Sequence, residues 1–187
     1  MELTQALASR RSVRQYTPQP VEKATLEQLI QAATLAPSAM NLQPWAFGVL
    51  QGTDALRELS ARAKADLLAK LHLMPAIEHY RETLSNPDFC IFYNAPALVV
   101  IYAKSSTDFA SGDCCLAAEN LMLAACDKGL GTCWIGFSLM YLNLPEVKAE
   151  FHVPAEYQVV SALIVGYPTD GPVPPKERNA PEILFWK

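Results

Sequence analysis

Arg10, Arg11 and Arg14 crowd a single hydroxyl, Ser12, in the stretch RRSVRQYTPQP of a chain whose formal net charge is -4. Guanidinium forks beside a hydroxyl donor suit an oxyanion, because each fork offers parallel N–H groups in one plane. Short basic clusters at a helix end also occur as solvated faces, or as partners for the negative end of the helix dipole, and the residues alone leave that alternative open. Nucleic acid is excluded as a partner: displacing counterions from a polyanion needs a broad basic face, and an acidic chain with one basic knot has none. The pattern points to a small anionic ligand.

Positioning such a knot falls to a single domain over residues 1–187, long enough to bury its own core or to serve as one protomer of an oligomer. Hydrophobic residues make up 51% of the chain, slightly above the globular norm, which leaves apolar surface for a subunit interface. No apolar run is long enough to span a bilayer, and the opening MELTQALASR lacks the basic-then-apolar layout of a secretion signal. The expectation is a cytoplasmic protein with no membrane partner. The five cysteines, Cys90, Cys114, Cys115, Cys126 and Cys133, include no Cys-x-x-Cys pair and read as small core residues. His72, His79 and His152 stand apart at spacings that build no metal site, and no metal is expected.

Thr25 with Gln28 reads as a capping box, and Leu26, Leu29, Ile30 and Ala33 follow at helical spacing until Pro37, predicting a helix over 25–36. The loop PSAMNLQPW leads into a strand, WAFGVLQG. An amphipathic helix over 53–70 carries Leu56, Leu59, Ala63 and Leu68, a further helical stretch follows at AIEHYRETL, and APALVVIYA has the length and β-branched content of a buried strand. In GDCCLAAENLMLAACDKGLG, positions 114, 117, 118, 121, 122 and 125 form one apolar stripe while Leu116, Leu123 and Ala124 lie elsewhere around the helix. That helix is expected to be buried nearly all round, ending at Gly129 as a left-handed cap. A short strand TCWIG, a helix opened by NLPEV with Asn143 as its cap, and the strand YQVVSALIVGYP complete the regular elements. The ending GPVPPKERNAPEILFWK has no periodicity, yet Ile183, Leu184, Phe185 and Trp186 are too apolar for water, so the tail is expected to dock. Strands among helices at irregular intervals predict a mixed α+β class, and the chain has neither a Gly-x-Gly-x-x-Gly nor a Walker sequence.

The basic knot, the loop APSAMNLQPW, the turn GLGTCWIG and the ending VGYP followed by PPKER stand in one order along one chain. Together they resemble the FMN-dependent nitroreductase family over essentially the whole length. The resemblance implies a central, mostly antiparallel sheet flanked by helices, an intertwined homodimer, and FMN as cofactor. Arg10 and Ser12 are then expected on the flavin phosphate, joined from the tail by Lys176 and Arg178, with Arg11 toward solvent. Arg14 falls by the pyrimidine edge, where a fixed positive charge favours the reduced, anionic flavin. Amides near Ile135 and Gly136 are expected to donate to N5 and O4 of the ring, Gly136 allowing close approach because it has no side chain. Trp134 is either a core aromatic or a neighbour of the ring. Ser38, Asn41 and Gln43 are expected to hydrogen-bond the flavin of the other subunit, with Pro37 shaping the loop and Ala39 packing by the ring; a plain polar turn is the alternative. Where relatives often carry an Asn, and sometimes a Lys, shortly before the Ala-Pro that opens APALVV, this chain has Asp88 and Ile91, with Asn86 nearby, so Asn86 and Asp88 receive no assignment.

The implied function is an oxidoreductase that takes hydride from NADH or NADPH and reduces nitroaromatic, quinone or similar acceptors. The flavin carries the chemistry, and no side chain is required as a catalytic acid or base. Two alternatives accompany it. One is an enzyme of the same family that fragments its own reduced flavin, or performs a substrate-specific oxidation or dehalogenation. The other is a flavin-binding protein without turnover.

Overall fold

A strand that is apolar on both faces belongs in the middle of a sheet, and APALVVIYA takes that place. In the computed structural model, which describes residues 1–107, 109–169 and 177–187, every residue of β2 (Ala97–Ala103) is buried. It lies between β1 (Trp45–Gln51) and β4 (Gln158–Gly166), with β3 (Gly131–Trp134) beyond β4, in the order β1-β2-β4-β3. All the pairings are antiparallel. The domain is therefore α+β, with an antiparallel sheet at its centre.

Period-two alternation along β2 sends Leu98, Val100 and Tyr102 into one core and Ala97, Val99, Ile101 and Ala103 into the other. The first core is closed by α3 (Thr53–Lys70), through Leu56, Leu59, Ala63 and Leu67. The second is closed by α2 (Lys23–Ala33), through Leu26, Leu29 and Ala33, and by α5 (Ala110–Asp127), through Cys114, Ala117, Ala118 and Leu121. Burying a leucine such as Leu29 or Leu121 contributes about 1.5–3 kcal/mol each. Val159 and Ala162 share a face although their spacing is odd, because the register slips by one residue where Ile101 faces Ser161 and Tyr102 faces Val159. That bulge keeps both ends of β4 in register with their cores.

Several expectations are corrected. The first long helix spans Lys23–Ala33 and starts from Glu22 with no side-chain cap, so Thr25 sits inside the helix and the chain turns before Pro37. Asn143 caps no following helix: α7 (Pro145–Glu150) starts from Leu144, with Pro145 in its first turn. Asn143 instead follows α6 (Leu139–Leu142) and ties it to β4, donating to the Leu139 and Val159 carbonyls and accepting from the Val159 amide. Helix α5 is not buried all round, since Cys115 is exposed and Leu116 is 48% exposed. The tail from 177 to 187 has no regular structure, and Trp186 is 89% exposed, so this chain alone does not cover it. Gly129 does cap α5, with φ of 72° and a Leu130 N–H to Ala125 carbonyl bond. No helix among the described residues is long and apolar enough to cross a membrane, and all five cysteines are free.

Candidate functional site

The basic knot is seated on two glycines. Gly131 and Gly166 face each other across the β3–β4 pair. A Cβ on Gly131 would fall 2.7 Å from the Val13 side chain, and one on Gly166 would fall 2.6 Å from Pro96 and 2.7 Å from Tyr16. Contacts that short are not tolerated, so the missing side chains are what let residues 12–16 lie against the sheet. The segment then bonds like an extra strand: Ser12 bridges Thr132 in parallel, the Val13 N–H donates to the Thr132 carbonyl at 2.9 Å, and Tyr16 bridges Pro168. The GLG and VGYP motifs thus position the arginines.

Helix α1 (Leu3–Ser9) ends at Arg10, and the cluster follows directly. The Arg10 Nε stands 3.3 Å from the Glu119 carboxylate on α5 without hydrogen-bond geometry, and it is buried without a hydrogen-bond partner among the described residues. The Arg11 Nε is likewise buried and unpartnered, while its Nη1 donates to the Arg10 carbonyl at 2.6 Å. Arg11 is half-buried, which corrects its expected solvent orientation. Ser12 is exposed. Arg14 leans back over the cluster, its guanidinium 5.7 Å from the centre of the Tyr93 ring. Among the described residues, one carboxylate, that of Glu119, stands within ion-pair reach of the three guanidinium groups.

Beside the knot, β3 runs into a 3-10 turn, Gly136–Ser138. The Ile135 N–H donates to the Ala162 carbonyl at 2.9 Å, extending the sheet ladder, so the expected donation from Ile135 is corrected. Gly136 is exposed, heads its turn where the N–H has no intrahelical acceptor, and has no atom within 4 Å of where a Cβ would stand. The space beside it is open. Trp134 is half-buried and packs on the core beneath α2 and α5. Two groups under the knot are chemically quiet. Burial pushes the Tyr16 hydroxyl far above its ordinary range, where it donates to the Val13 carbonyl at 2.7 Å. Burial also pushes the Cys133 thiol up, against the opposing pull of Arg14.

The loop from Pro37 to Gln43 lies apart from the knot and makes no hydrogen bond to it. Its backbone is left-handed at Met40, Asn41 and Gln43, with φ of 51°, 54° and 48°. Such non-glycine residues cost of order 1–3 kcal/mol each, and they persist only where something over-determines them. Here the Ser38 Oγ accepts from the Gln43 N–H at 3.0 Å, the Gln43 Nε2 donates to the Asn41 Oδ1 at 3.1 Å, and the Ala39 N–H donates to the Asp113 carboxylate. Lys176 lies outside the described residues. Arg178 is exposed and makes no hydrogen bond or ion pair with a described residue. Glu119, Tyr93 and Asp113 were not singled out from the sequence; the signal for Glu119 and Asp113 is a carboxylate set into an otherwise apolar helix, where it needs a partner.

Asn86 and Asp88 sit in a loop held by one face of α3. The Arg57 Nε donates to the Asn94 Oδ1 at 2.9 Å, the Ser60 Oγ accepts from the Ile91 N–H at 2.9 Å, and the buried Lys64 Nζ donates to the Asn86 and Phe89 carbonyls at 2.7 and 2.6 Å. Asn86 uses its side chain locally, accepting from the Asp88 N–H.

Comparison with known proteins gives this geometry a context. A crystal structure of a nitroreductase with bound FMN from Bacteroides fragilis superposes with a TM-score of 0.83 at 30% identity, covering 100% of this chain and 98% of that one. A 5,6-dimethylbenzimidazole synthase from Rhodospirillum rubrum is 30% identical over 196 residues, covering 90% of this chain and 83% of the relative. A protein of Archaeoglobus fulgidus provisionally named NADH dehydrogenase/NAD(P)H nitroreductase is 28% identical over 174 residues, covering 90% of this chain and 87% of the relative. The family model described as Nitroreductase family matches residues 7–167, from just before the basic knot to the end of β4. By that match and by its fold, the chain belongs to the nitroreductase family.

Proposed function

We propose that the protein is an FMN-dependent oxidoreductase that takes hydride from NADH or NADPH and reduces nitroaromatic, quinone or similar acceptors, working as a cytoplasmic homodimer. The observation that carries this reading is the pair of buried guanidinium nitrogens on Arg10 and Arg11, without a hydrogen-bond partner among the described residues, beside the exposed Ser12 hydroxyl. Buried donors without acceptors are costly, and a phosphate supplies the oxygens they lack. Arg10, Arg11 and Ser12 would hold that phosphate, with Lys176 and Arg178 closing on it from the tail. The open space at Gly136 suits a flat ring lying against its N–H. When bound, FMN supplies the two-electron chemistry between nicotinamide and acceptor. Arg14, stacked on Tyr93, places a positive charge that favours whichever state of the group carries the extra negative charge.

Dimer formation is supported by what one chain leaves uncovered. Leu35, Met40, Leu42 and Leu116 are exposed, as is the tail from Ile183 to Trp186. The loop from Pro37 to Gln43 would then serve the partner's cofactor through Ser38, Asn41 and Gln43, with Ala39 by the ring. Cytoplasmic residence fits five free cysteines.

The test is direct. The purified protein should be yellow with about one FMN per protomer, should bind riboflavin far more weakly, and should oxidise NADH or NADPH faster than free FMN does in the presence of an acceptor. Losing one charge-assisted contact costs about 1.5–3 kcal/mol, so Arg10→Ala should shed FMN on dilution. Equal affinity for FMN and riboflavin would remove the phosphate site, and no oxidation above free flavin would remove the activity. A second reading is the flavin-fragmenting alternative that the family resemblance implies: if the flavin spectrum is lost irreversibly through cycles of reduction and reoxidation in air, the protein consumes its flavin instead of recycling it.

A further inference from the structure

Asp113 is a carboxylate on the buried face of its helix. It stands near the start of α5, one turn ahead of Ala117 and two ahead of Leu121 on the stripe that packs toward the sheet, and only 7% of it reaches solvent. No Lys or Arg among the described residues pairs with it. Its two oxygens share one donor, the Ala39 N–H, at 3.3 and 3.1 Å. An alanine would suit the stripe without any desolvation cost, so packing gives no account of this side chain. What Asp113 holds gives one.

Among the described residues, the Ala39–Asp113 contact is the only hydrogen bond that ties residues 38–43 to anything outside them. The other bonds are internal: the Asn41 and Leu42 N–H groups donate to the Ser38 and Ala39 carbonyls, and the remaining two engage groups proposed to reach the cofactor, the Ser38 Oγ, the Asn41 Oδ1 and the Gln43 side chain. If those side chains turn toward a ligand, their two bonds break, and a loop with left-handed residues at Met40, Asn41 and Gln43 keeps its backbone turn but has one hydrogen bond to fix that turn on the rest of the described fold. We infer that Asp113 is a positioning residue for the flavin: it fixes the loop by the Ala39 N–H, so that Ser38, Asn41 and Gln43 can exchange internal hydrogen bonds for bonds to the cofactor ring. This rests on the reading that the loop serves FMN. It makes a distinctive demand, because the anchor acts at the ring and not at the phosphate.

Dissociation constants for FMN and for riboflavin, measured on the wild type, Asp113→Ala, Asp113→Asn and Arg10→Ala, test it together with amide hydrogen exchange of residues 38–43. Asp113→Ala should weaken both ligands by the same factor, about tenfold or more, leaving the FMN-to-riboflavin ratio unchanged, while Arg10→Ala should lower that ratio. Asp113→Asn keeps an acceptor oxygen and should recover most of the loss, which also serves if the alanine variant does not fold. Exchange in 38–43 should rise in Asp113→Ala while α5 stays protected. Unchanged FMN affinity, or a loss confined to FMN, overturns the inference. If the wild type binds neither ligand, the cofactor reading fails by itself, and hydrogen exchange still judges the anchor: a rise confined to 38–43 supports it and no rise overturns it.

Discussion

Two loops among the described residues hold consecutive non-glycine residues in left-handed backbone, and they are secured in opposite ways. The loop around Tyr93 and Asn94 is clasped by Arg57, Ser60 and Lys64 from one face of α3, and between the clasps Ile91 and Phe92 are fully buried. The loop around Met40 and Asn41 has one carboxylate behind it, and its apolar tips face water, with Met40 81% and Leu42 54% exposed. The first loop is completed by its own chain. The second leaves its apolar tips open, as the homodimer proposed above would require of a segment lent to a neighbour. Strain of similar kind therefore means scaffold in one place and contact surface in the other.

The largest expected effect would break the first loop. In Lys64→Met the apolar stem stays but the buried Asn86 and Phe89 carbonyls lose their donor, which should cost about 3 kcal/mol. A urea midpoint that barely moves would show that the clasp is dispensable. Next comes Arg14, which meets that loop through Tyr93. A cation beside a flavin at an effective dielectric near 20 contributes about 1 to 3 kcal/mol after screening. Arg14→Gln should then lower the two-electron potential by some tens of millivolts with FMN still bound, given about 30 mV per 1.4 kcal/mol. Potentiometry of the FMN-saturated variant checks this, and an unchanged potential takes Arg14 out of the mechanism.

Asn41→Gly probes the second loop from the other side. Glycine accepts the left-handed backbone, so protein stability should stay within about 0.5 kcal/mol. Flavin affinity should nevertheless drop, which is the reverse of the Lys64 pattern. Coincident loss of stability and affinity would erase the contrast between the loops. The smallest effect concerns the outer side of α3, where Arg62 pairs with Glu150 on α7. That pair holds the Glu150 carboxyl below its ordinary value. A group whose folded pKa is depressed contributes stability above its unfolded pKa and loses it as pH falls through the folded one. Glu150→Gln should therefore lower stability slightly at neutral pH, with the difference from wild type vanishing as pH falls below about 4.3, as thermal melts against pH would show.

The sheet was legible in the sequence because β2 and β4 are long aliphatic runs bounded by breakers, and α3 begins and ends where its apolar spacing does. The knot at Arg10 to Arg14 was legible only as a candidate anion site, with a solvated basic face as its alternative, because spacing does not say which guanidinium nitrogens are buried. What was not legible depends on pairings between distant segments. Thr25 and Gln28 spell a capping box, but the helix begins earlier because Val21, 1% exposed, brings the chain into the core just before it. Asn143 looks like a helix cap and is instead claimed by Val159. Ile135 looks like a free donor until β4 supplies its acceptor. In each case local preference lost to a tertiary partner that spacing does not announce.

The glycine seat carries a consequence for how the protein is made. Val13 finds its partner at Thr132, and Tyr16 at Pro168. During synthesis the arginines leave the ribosome before the surface that seats them, so the basic knot must wait unseated while β1, β2 and α5 emerge. Pairings over so long a stretch of chain form slowly and expose intermediates to aggregation. A nascent chain stalled before β4 should hold a partly built core and no capacity to retain a phosphate.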